Sequence, residues 1–414
     1  MAASTTIIPS EITSAQKRTL VAAALGWGLD GFDVMLYSNV AVHVMSDLGI
    51  VKKSLTGLPN TFMLLASGIG GVLFGFIADR IGRKKALMLS ILTYSVCSLG
   101  SGLSTSIVTL VFFRFVLGLG MGGEWNTGAT LVAETWPTHL RAKALSIVQG
   151  SWAWGLAAAA FVAGIVLSKT RNNWRLVFFV GVLPALITLW IRSGVPESEM
   201  WKQQRSVIPE TTPFAEIFSP ALRRNTIFLL LLNLFGLFAW WGLFSWMPPY
   251  LTLPVEKGGR GLGIMNTTTL LVLLNLAGMF PGYLCYGWVA DRLGRKRSLI
   301  LYTVCAALLI PAYAAARAPW MILVLGGMVA FFGTGFFVGS GLIGSEIFPC
   351  RVRALALGFT YNGARALSCV APYTIGAVGD RYGLGAAFCI CAAGFLLTAV
   401  MATQLPETTG KHLE

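Results

Sequence analysis

The sequence predicts an all-α polytopic membrane protein with twelve transmembrane helices arranged as two six-helix bundles. Three observations lead to this prediction: the composition, a series of long apolar segments and an internal repeat. Of the 414 residues, 55% are hydrophobic and only 12% are charged, and the mean hydropathy is +0.71. A soluble domain has about 25% charged residues, and so few charges cannot cover a water-facing surface. We therefore expect lipid to surround most of the chain.

Twelve apolar segments have about the 20 residues that a helix needs to cross the hydrocarbon core of a bilayer. The first six lie at about 19–44, 56–78, 86–104, 106–130, 143–167 and 174–193. The second six lie at about 225–252, 264–290, 298–316, 319–345, 354–378 and 384–404. The longest polar stretch separates the two series. These features predict an N-terminal bundle of residues 1–193, a cytoplasmic linker of 194–224 and a C-terminal bundle of 225–414.

Two sequence motifs each occur twice, at an identical separation of 212 residues. The first is Gly75-x-x-x-Asp79-Arg80-x-Gly82-Arg83-Lys84-Lys85, which recurs as Gly287-x-x-x-Asp291-Arg292-x-Gly294-Arg295-Lys296-Arg297. The second is Glu134-x-Trp136-Pro137-x-x-x-Arg141, which recurs as Glu346-x-Phe348-Pro349-x-x-x-Arg353. Two unrelated motifs at one offset indicate that the halves are duplicates. Parallel duplicated halves around a central pathway are a known plan for transporters.

The lysines and arginines are distributed unevenly between the two sides of the predicted protein. With the N-terminus in the cytoplasm, that side holds 20 of them and the opposite side 9, while Arg114 and Arg365 lie inside the membrane. Positive charge is enriched in cytoplasmic loops, so we expect both termini in the cytoplasm. The polar segment Met1–Arg18 lacks the apolar core of a cleavable signal. We expect the first helix to direct insertion into the inner or plasma membrane.

The composition disfavours several other functional classes. The net charge is +14, but the basic residues form short clusters between apolar runs, so we expect no nucleic-acid partner. The seven cysteines are scattered and only three histidines occur, which predicts neither a disulfide framework nor a metal centre. The sequence contains no recognisable nucleophile constellation or soluble output domain. We therefore expect a transporter without a cofactor, and neither an enzyme nor a receptor.

The repeated motifs resemble those of the Major Facilitator Superfamily, and the resemblance covers nearly the whole chain. It implies that charged residues of both copies form contacts between the bundles on the cytoplasmic side and stabilise the outward-open state. The residues assigned to this gating role are Gly75, Asp79, Arg80, Arg83, Asp291, Arg292, Arg295, Glu134, Arg141, Glu346 and Arg353. The alternative is that the basic residues only anchor their loops on the cytoplasmic side.

Within that superfamily, three stretches are similar to organic-acid:proton symporters. They are Leu29-Asp30-Gly31-Phe32-Asp33, the run from Gly123-Glu124-Trp125 to Arg141, and Gly358-Phe359-Thr360-Tyr361-Asn362. The first resembles a signature shared with aromatic-acid symporters, and the other two resemble the sialate and lactate group. Sialate transporters of that group often carry two extra spanning segments in the middle, for which this chain has no room.

Five ionisable residues stand out deep inside predicted spans, where a charge costs about 2.5–3.5 kcal/mol or more. They are Asp30, Asp33, Arg114, Glu124 and Arg365. Asp30 and Asp33 lie near one helical face and can share a proton. We assign proton coupling first to Asp33. For Asp30, a structural ion pair with a neighbouring cation is an equal alternative. Arg114 and Glu124 are about 15 Å apart along a helix. We therefore expect Arg114 to meet Asp30 or Asp33 and to belong with them to the proton-coupling group, and Glu124 is a second candidate proton site.

Arg365 is the candidate that suits substrate binding, because a permanent cation can make a bidentate contact with a carboxylate. The alternative is an interhelical ion pair. Further candidates for the substrate site are Tyr37, Asn126, Gln149, Trp152, Asn233, Tyr361 and Asn362. Amides in mid-span more often join helices than bind ligands. Trp246 and Tyr250 are assigned to the aromatic belt at the membrane surface.

The sequence therefore predicts proton-coupled import of a small organic anion by alternating access. A monocarboxylate such as lactate or pyruvate is the first candidate substrate, with an aromatic acid or sialic acid as alternatives. A proton-driven drug or metabolite exporter is the alternative of a different class. Such exporters have a Gly-Pro-containing fifth helix, and residues 150–164 contain no proline. The expected partners are the organic anion, the proton and the lipid bilayer, and the protein is expected to be a monomer.

Overall fold

The computed structural model describes residues 12–136, 138–182, 190, 194 and 214–408. It confirms the prediction of twelve helices. The N-terminal half contains α1 (Ser14–Asp47), α2 (Lys53–Ile81), α3 (Arg83–Gly102), α4 (Ile107–Thr135), α5 (Thr138–Lys169) and α6 (Trp174–Val180). The C-terminal half contains α7 (Arg223–Thr252), α8 (Ile264–Leu293), α9 (Arg295–Ala315), α10 (Pro319–Ile347), α11 (Cys350–Leu367, continued by Ala371–Tyr382) and α12 (Leu384–Thr403).

Eight helices of the described chain are long and apolar enough to cross a membrane, namely α1, α2, α5, α7, α8, α9, α10 and α12. The end of the predicted sixth segment and most of the predicted linker lie outside the described residues. Several helices extend beyond their apolar segments. Helix α1 has 34 residues, about 51 Å at 1.5 Å per residue, and therefore exceeds the hydrocarbon thickness of about 30 Å.

The repeated motif forms the same tight turn in both halves. Gly82 joins α2 to α3 with φ 103°, and Gly294 joins α8 to α9 with φ 98°. Residues with a Cβ atom rarely adopt such angles, so the motif requires glycine at both positions. The equal geometry at an offset of 212 residues is the structural counterpart of the sequence repeat.

Prolines interrupt two helices of the C-terminal half. Helix α8 contains a π-helical turn at Leu274–Met279, just before Pro281. Helix α11 contains a 3-10 turn at Ser368–Val370, just before Pro372. Proline has no N–H to donate to the preceding turn and its ring clashes with that turn, so the helix changes its winding there. The second interruption begins three residues after Arg365.

The two halves meet mainly along three helix pairs, α2 with α11, α5 with α8 and α1 with α7. The first pair diverges along its length. A Cβ atom placed on Gly57 would lie 2.5 Å from the carbonyl oxygen of Pro372, and one placed on Gly68 would lie 2.7 Å from Cβ of Ala366. Further along, a Cβ on Gly75 would have no described atom of another element within 4 Å. We call the closed end the Lys53 end and the divergent end the Gly82 end.

Candidate functional site

The centre of the molecule brings Asp30 of α1 close to Arg365 of α11. Asp30 is completely buried, and neither of its carboxylate oxygens has a hydrogen-bond partner. Arg365 is 2% exposed; its Nη2 donates to Sδ of Met121 at 3.1 Å, and its Nε has no partner. Met121 belongs to α4, so the guanidinium reaches across the interface between the halves. The charge of Arg365 acts electrostatically on Asp30, although their atoms do not form an ion pair.

Asp33 occupies a different environment, one turn further along α1. Its Oδ1 accepts a hydrogen bond from Oγ of Ser98 at 2.9 Å. Arg114 Nη1 donates to the main-chain carbonyl of Asp33 at 3.0 Å, and its guanidinium lies 5.5 Å from the ring of Tyr37 and 4.9 Å from that of Phe178. The structure therefore places Arg114 at Asp33, whereas Asp30 faces the C-terminal half.

Several of the predicted substrate residues surround Asp30 and Arg365. Tyr361 lies on α11 near Arg365, and it is also near Tyr283 of α8. The Tyr283 hydroxyl in turn interacts with the side-chain amide of Gln149 on α5. One turn beyond Gln149, the ring of Trp152 would lie 3.1 Å from a Cβ placed on Gly31, the neighbour of Asp30. Side chains of α1, α5, α8 and α11 thus surround a single central region.

Other predicted substrate residues have different surroundings. The Tyr37 hydroxyl donates to the carbonyl of Thr56 at 2.6 Å, so this group joins α1 to α2. Asn233 is buried on α7 and its Oδ1 has no partner. The carbonyl of Asn362 lies at the contact between α11 and Gly68. The side chains of Glu124 and Asn126 lie outside the described part of the chain.

Sequence reasoning missed Tyr283, and it misplaced Trp246 and Tyr250. The assignment of the latter two to the aromatic belt is wrong, because both are buried within the protein. Trp246 Nε1 donates to the carbonyl of Pro372 at 2.7 Å, and the Tyr250 hydroxyl donates to that of Ala314 at 2.8 Å. The signal for Tyr283 is its position two residues after Pro281, beside the π-helical turn.

A small cavity lies between the centre and the Lys53 end. Its volume is about 20 Å³, which is space for one water molecule. Its lining includes Asn39 of α1, Ala160 of α5, Phe244 of α7 and Asn275 of α8. The Oδ1 atom of Asn275 is buried without a partner. Residues of both halves therefore enclose this cavity from opposite sides.

The Lys53 end is closed by a carboxylate of one half that caps a helix of the other. The carboxylate of Asp380 on α11 accepts hydrogen bonds from the main-chain N–H groups of Lys53 at 2.8 Å and Ser54 at 3.2 Å. Lys53 Nζ lies 3.7 Å from the same carboxylate and donates to the carbonyl of Gly379 at 3.1 Å. These first N–H groups of α2 have no acceptor within their own helix, and the helix dipole favours a negative charge there.

Replacing Asp380 by asparagine is expected to shift the protein about fivefold towards the state that is open at the Lys53 end. The change removes charge-assisted bonds worth about 1 kcal/mol in this partly exposed position. Reaction of a cysteine introduced at Ala160, in a variant without the native cysteines, would measure this opening. Lys53→Met is the control: its main-chain bond to Asp380 remains, so a smaller effect is expected. Equal reactivity of the Asp380 variant and its parent would contradict this role.

Three of the predicted gating residues of the C-terminal half, Asp291, Arg295 and Glu346, form a cluster at the Gly82 end. Arg295 contacts Asp291 at 2.6 Å and Glu346 at 3.4 Å, and its main-chain N–H donates to Glu407 at 2.8 Å. These contacts all lie within the C-terminal half, as expected where the halves diverge. Arg80 packs on the ring of Phe76, Arg292 packs on that of Trp288, and Arg353 donates to the carbonyl of Phe348. The side chains of Asp79, Arg83, Glu134 and Arg141 lie outside the described part of the chain.

The central arrangement is suited to binding and charge transfer. A buried cation, a buried acid without a hydrogen-bond partner and several hydroxyl and amide groups lie between two packed halves. Among the described residues, no group of three or more His, Cys, Asp or Glu side chains could hold a metal ion. The arrangement can bind an anion at Arg365 and bind or release a proton at Asp30.

Comparisons with known proteins agree with this architecture. The model of the Major Facilitator Superfamily matches residues 23–280 and 260–413. The chain is 32% identical to a probable 4-methylmuconolactone transporter of Cupriavidus pinatubonensis, covering 96% of this chain and 92% of the relative. It is 30% identical to a cis,cis-muconate transport protein of Acinetobacter baylyi, covering 90% of each chain. It is 31% identical to the sialic acid transporter NanX of Escherichia coli, covering 96% of each.

A solved structure shares the fold. The crystal structure of a D-xylose-proton symporter superposes with a TM-score of 0.79 at 21% identity, covering 96% of this chain and 100% of that one. The family model covers well over half of the present chain, and two relatives above 30% identity extend over nearly all of it. The chain is therefore a multi-pass membrane transporter that belongs to the Major Facilitator Superfamily.

Proposed function

We propose that this transporter imports a small organic anion together with a proton. The observation that carries the proposal is the buried guanidinium of Arg365, which spans the interface between the halves and has its Nε without a partner. A permanent cation there attracts an anion, and its planar shape matches a carboxylate. The relatives support this class, because muconate and sialic acid are both carboxylic acids. Monocarboxylates such as lactate and pyruvate, aromatic acids and sialic acid all belong to it.

Asp30 is the proton carrier that the geometry favours. An ionised carboxylate that is buried without hydrogen bonds costs a large amount of free energy, and binding of a proton removes its charge. Asp30 meets this description, whereas Ser98 already stabilises the carboxylate of Asp33. The acid and the substrate carboxylate would both interact with Arg365. Protonation of Asp30 therefore leaves the guanidinium free to bind the substrate.

The proposed cycle rocks the two halves, residues 1–193 and 225–414, about this central region. The Gly82 end, where α1 begins and α12 ends, is proposed to face the cytoplasm of a cell bounded by the inner or plasma membrane, in accord with the predicted distribution of lysine and arginine. In that orientation the conformation described above is closed to the outside and divergent towards the cytoplasm. The Asp380 contacts with Lys53 and Ser54 would break when the protein opens outward.

Uptake into proteoliposomes with an imposed inward proton gradient tests the proposal. We expect gradient-dependent accumulation of at least one acid among lactate, pyruvate, a hydroxybenzoate, cis,cis-muconate and sialic acid. Collapse of the gradient with a protonophore is the control and should abolish accumulation. Equal uptake with and without the gradient would contradict proton coupling. Transport of a hydrophobic cation, with no movement of any acid, would favour the proton-driven exporter instead.

A further inference from the structure

Four buried tryptophans form a cluster across the interface between the halves. Trp27 of α1 and Trp152 of α5 belong to the N-terminal half, and their ring centroids are 4.6 Å apart. Trp240 and Trp241 of α7 belong to the C-terminal half, and their centroids are 4.9 Å apart. Trp152 joins the two pairs, at 6.4 Å from Trp240 and 6.3 Å from Trp241. Each half of the protein therefore contributes a pair of tryptophans to the cluster.

Two members of the cluster carry hydrogen-bond donors that have no partner. The Nε1 atoms of Trp240 and Trp241 are buried, and neither has an acceptor within hydrogen-bond distance. The indole N–H can only donate, and a buried donor without an acceptor costs about 1–3 kcal/mol. An acceptor that arrives with a ligand would remove this cost. The two indoles thus point to a ligand with oxygen atoms beyond those that Arg365 binds.

The cluster adjoins the candidate anion site. The ring of Trp152 packs against Gly31, the neighbour of Asp30, and Gln149 lies one turn before Trp152 on α5. Arg365 acts electrostatically on Asp30 from the opposite half. A ligand whose carboxylate binds Arg365 would therefore extend towards aromatic rings.

The aromatic faces of the cluster favour a flat ligand. In this conformation Trp152 contacts Trp240 at an interplanar angle of 57° and Trp241 at 88°, so the rings of the two halves meet at tilted or edge-to-face angles. Trp152 and the Trp240–Trp241 pair belong to different halves, so rocking that separates them would uncover the face of Trp152. A flat π system can make an aromatic contact with that face, whereas a puckered saturated ring cannot.

We propose that the tryptophan cluster makes the site selective for planar carboxylates, namely aromatic or conjugated acids, over saturated acids of equal size. This inference rests on the proposed anion-binding role of Arg365. Stacking on Trp152 recognises the flat face of the substrate. The indole N–H groups of Trp240 and Trp241 bind an oxygen atom at the end remote from the carboxylate, such as a phenolic hydroxyl or a second carboxylate.

Benzoate and cyclohexanecarboxylate form a matched pair of ligands, because they have equal charge and equal carbon number and differ in planarity. Their binding to the purified full-length protein in nanodiscs can be measured by calorimetry. We expect benzoate to bind roughly tenfold more tightly, since aromatic contacts add about 0.5–1.5 kcal/mol per pair beyond the area they bury. Trp152→Leu is expected to reduce this ratio to near unity. Trp154→Leu is the control, because Trp154 lies on the same helix and is 55% exposed.

A second variant tests the role of the indole N–H independently of the role of the aromatic ring. Trp240→Phe keeps an aromatic ring but has no donor, so it should retain the preference for benzoate over cyclohexanecarboxylate. It should lose most of the additional affinity of 4-hydroxybenzoate relative to benzoate. An unchanged 4-hydroxybenzoate preference would overturn the assigned role of the indole N–H.

The outcomes distinguish this inference from the proposed function. Equal binding of benzoate and cyclohexanecarboxylate, or an unchanged ratio in Trp152→Leu, would overturn planar selectivity and leave carboxylate transport standing. Binding of neither these acids nor lactate, muconate or sialic acid to a folded preparation would overturn both proposals. Thermal unfolding of each variant, compared with the parent, shows whether the preparation is folded.

Discussion

Replacing Arg365 by lysine is expected to weaken binding of every carboxylate substrate by roughly 10- to 150-fold and to leave the fold intact. Hydrogen bonds to a charged group contribute about 1.5–3 kcal/mol, and lysine cannot reproduce the planar pair of donors that matches a carboxylate. The fold should persist because lysine keeps a positive charge near Asp30, which is otherwise buried without a hydrogen-bond partner. Equilibrium binding of the transported acid, together with thermal unfolding, measures both effects.

Arg381→Lys is the matched control for this variant. Arg381 lies on the same helix, but it is exposed at the Lys53 end, so its replacement should leave affinity unchanged. Unchanged affinity in Arg365→Lys would remove Arg365 from the substrate site. Loss of folding in Arg365→Lys would show instead that the guanidinium is mainly an interhelical structural contact, with Met121 as its hydrogen-bond partner.

Replacing Asp30 by asparagine is expected to abolish accumulation driven by a proton gradient while preserving exchange of substrate across the membrane. Asparagine has nearly the shape of a protonated aspartate but cannot release a proton. The variant should therefore bind substrate and rock between states without coupling the two gradients. Proteoliposomes provide both measurements: uptake against an imposed pH difference, and counterflow between labelled and unlabelled substrate without one.

Asp33→Asn distinguishes the two acids of α1. Its carboxylate already accepts a hydrogen bond from Ser98, and its main chain binds Arg114. We therefore expect this variant to reduce stability or transport rate more than coupling. Normal gradient-driven accumulation in Asp30→Asn, with its loss in Asp33→Asn, would move the proton site to Asp33. Accumulation by both variants would leave Glu124 as the remaining sequence candidate.

Local features of the fold could be predicted from the sequence with good accuracy. Apolar length identified each helix, because a spanning helix must satisfy its backbone hydrogen bonds internally. The repeated motif falls where the second and third, and the eighth and ninth, predicted segments join, and the structure has a tight turn at each place, at Gly82 and Gly294. Helix ends were less predictable. Polar residues continue a helix into water, so α5 begins at Thr138 and not at the predicted 143.

The partners of the central residues could not be predicted from a single sequence. Asp30 and Arg365 are separated by almost the whole chain, and no local pattern indicates that α1 faces α11 there. The sequence identified both residues because ionisable groups are costly in a membrane, but it left the partner of each residue open. The sequence could not place the tryptophans, because this residue type occurs at the membrane surface as well as in the interior of the protein. Trp246 shows the error, being buried with its N–H bound to Pro372.

The seal at the Lys53 end consists largely of main-chain atoms. Gly57 adjoins the carbonyl of Pro372, and a Cβ placed on Gly376 would lie 2.7 Å from the carbonyl of Lys53. Any larger side chain at either glycine would collide with backbone, so this end tolerates little variation. The central side chains at Trp152 and Arg365 take no part in that backbone contact. Under the proposed function, substitutions at these central positions would change the cargo without rebuilding the seal at the Lys53 end.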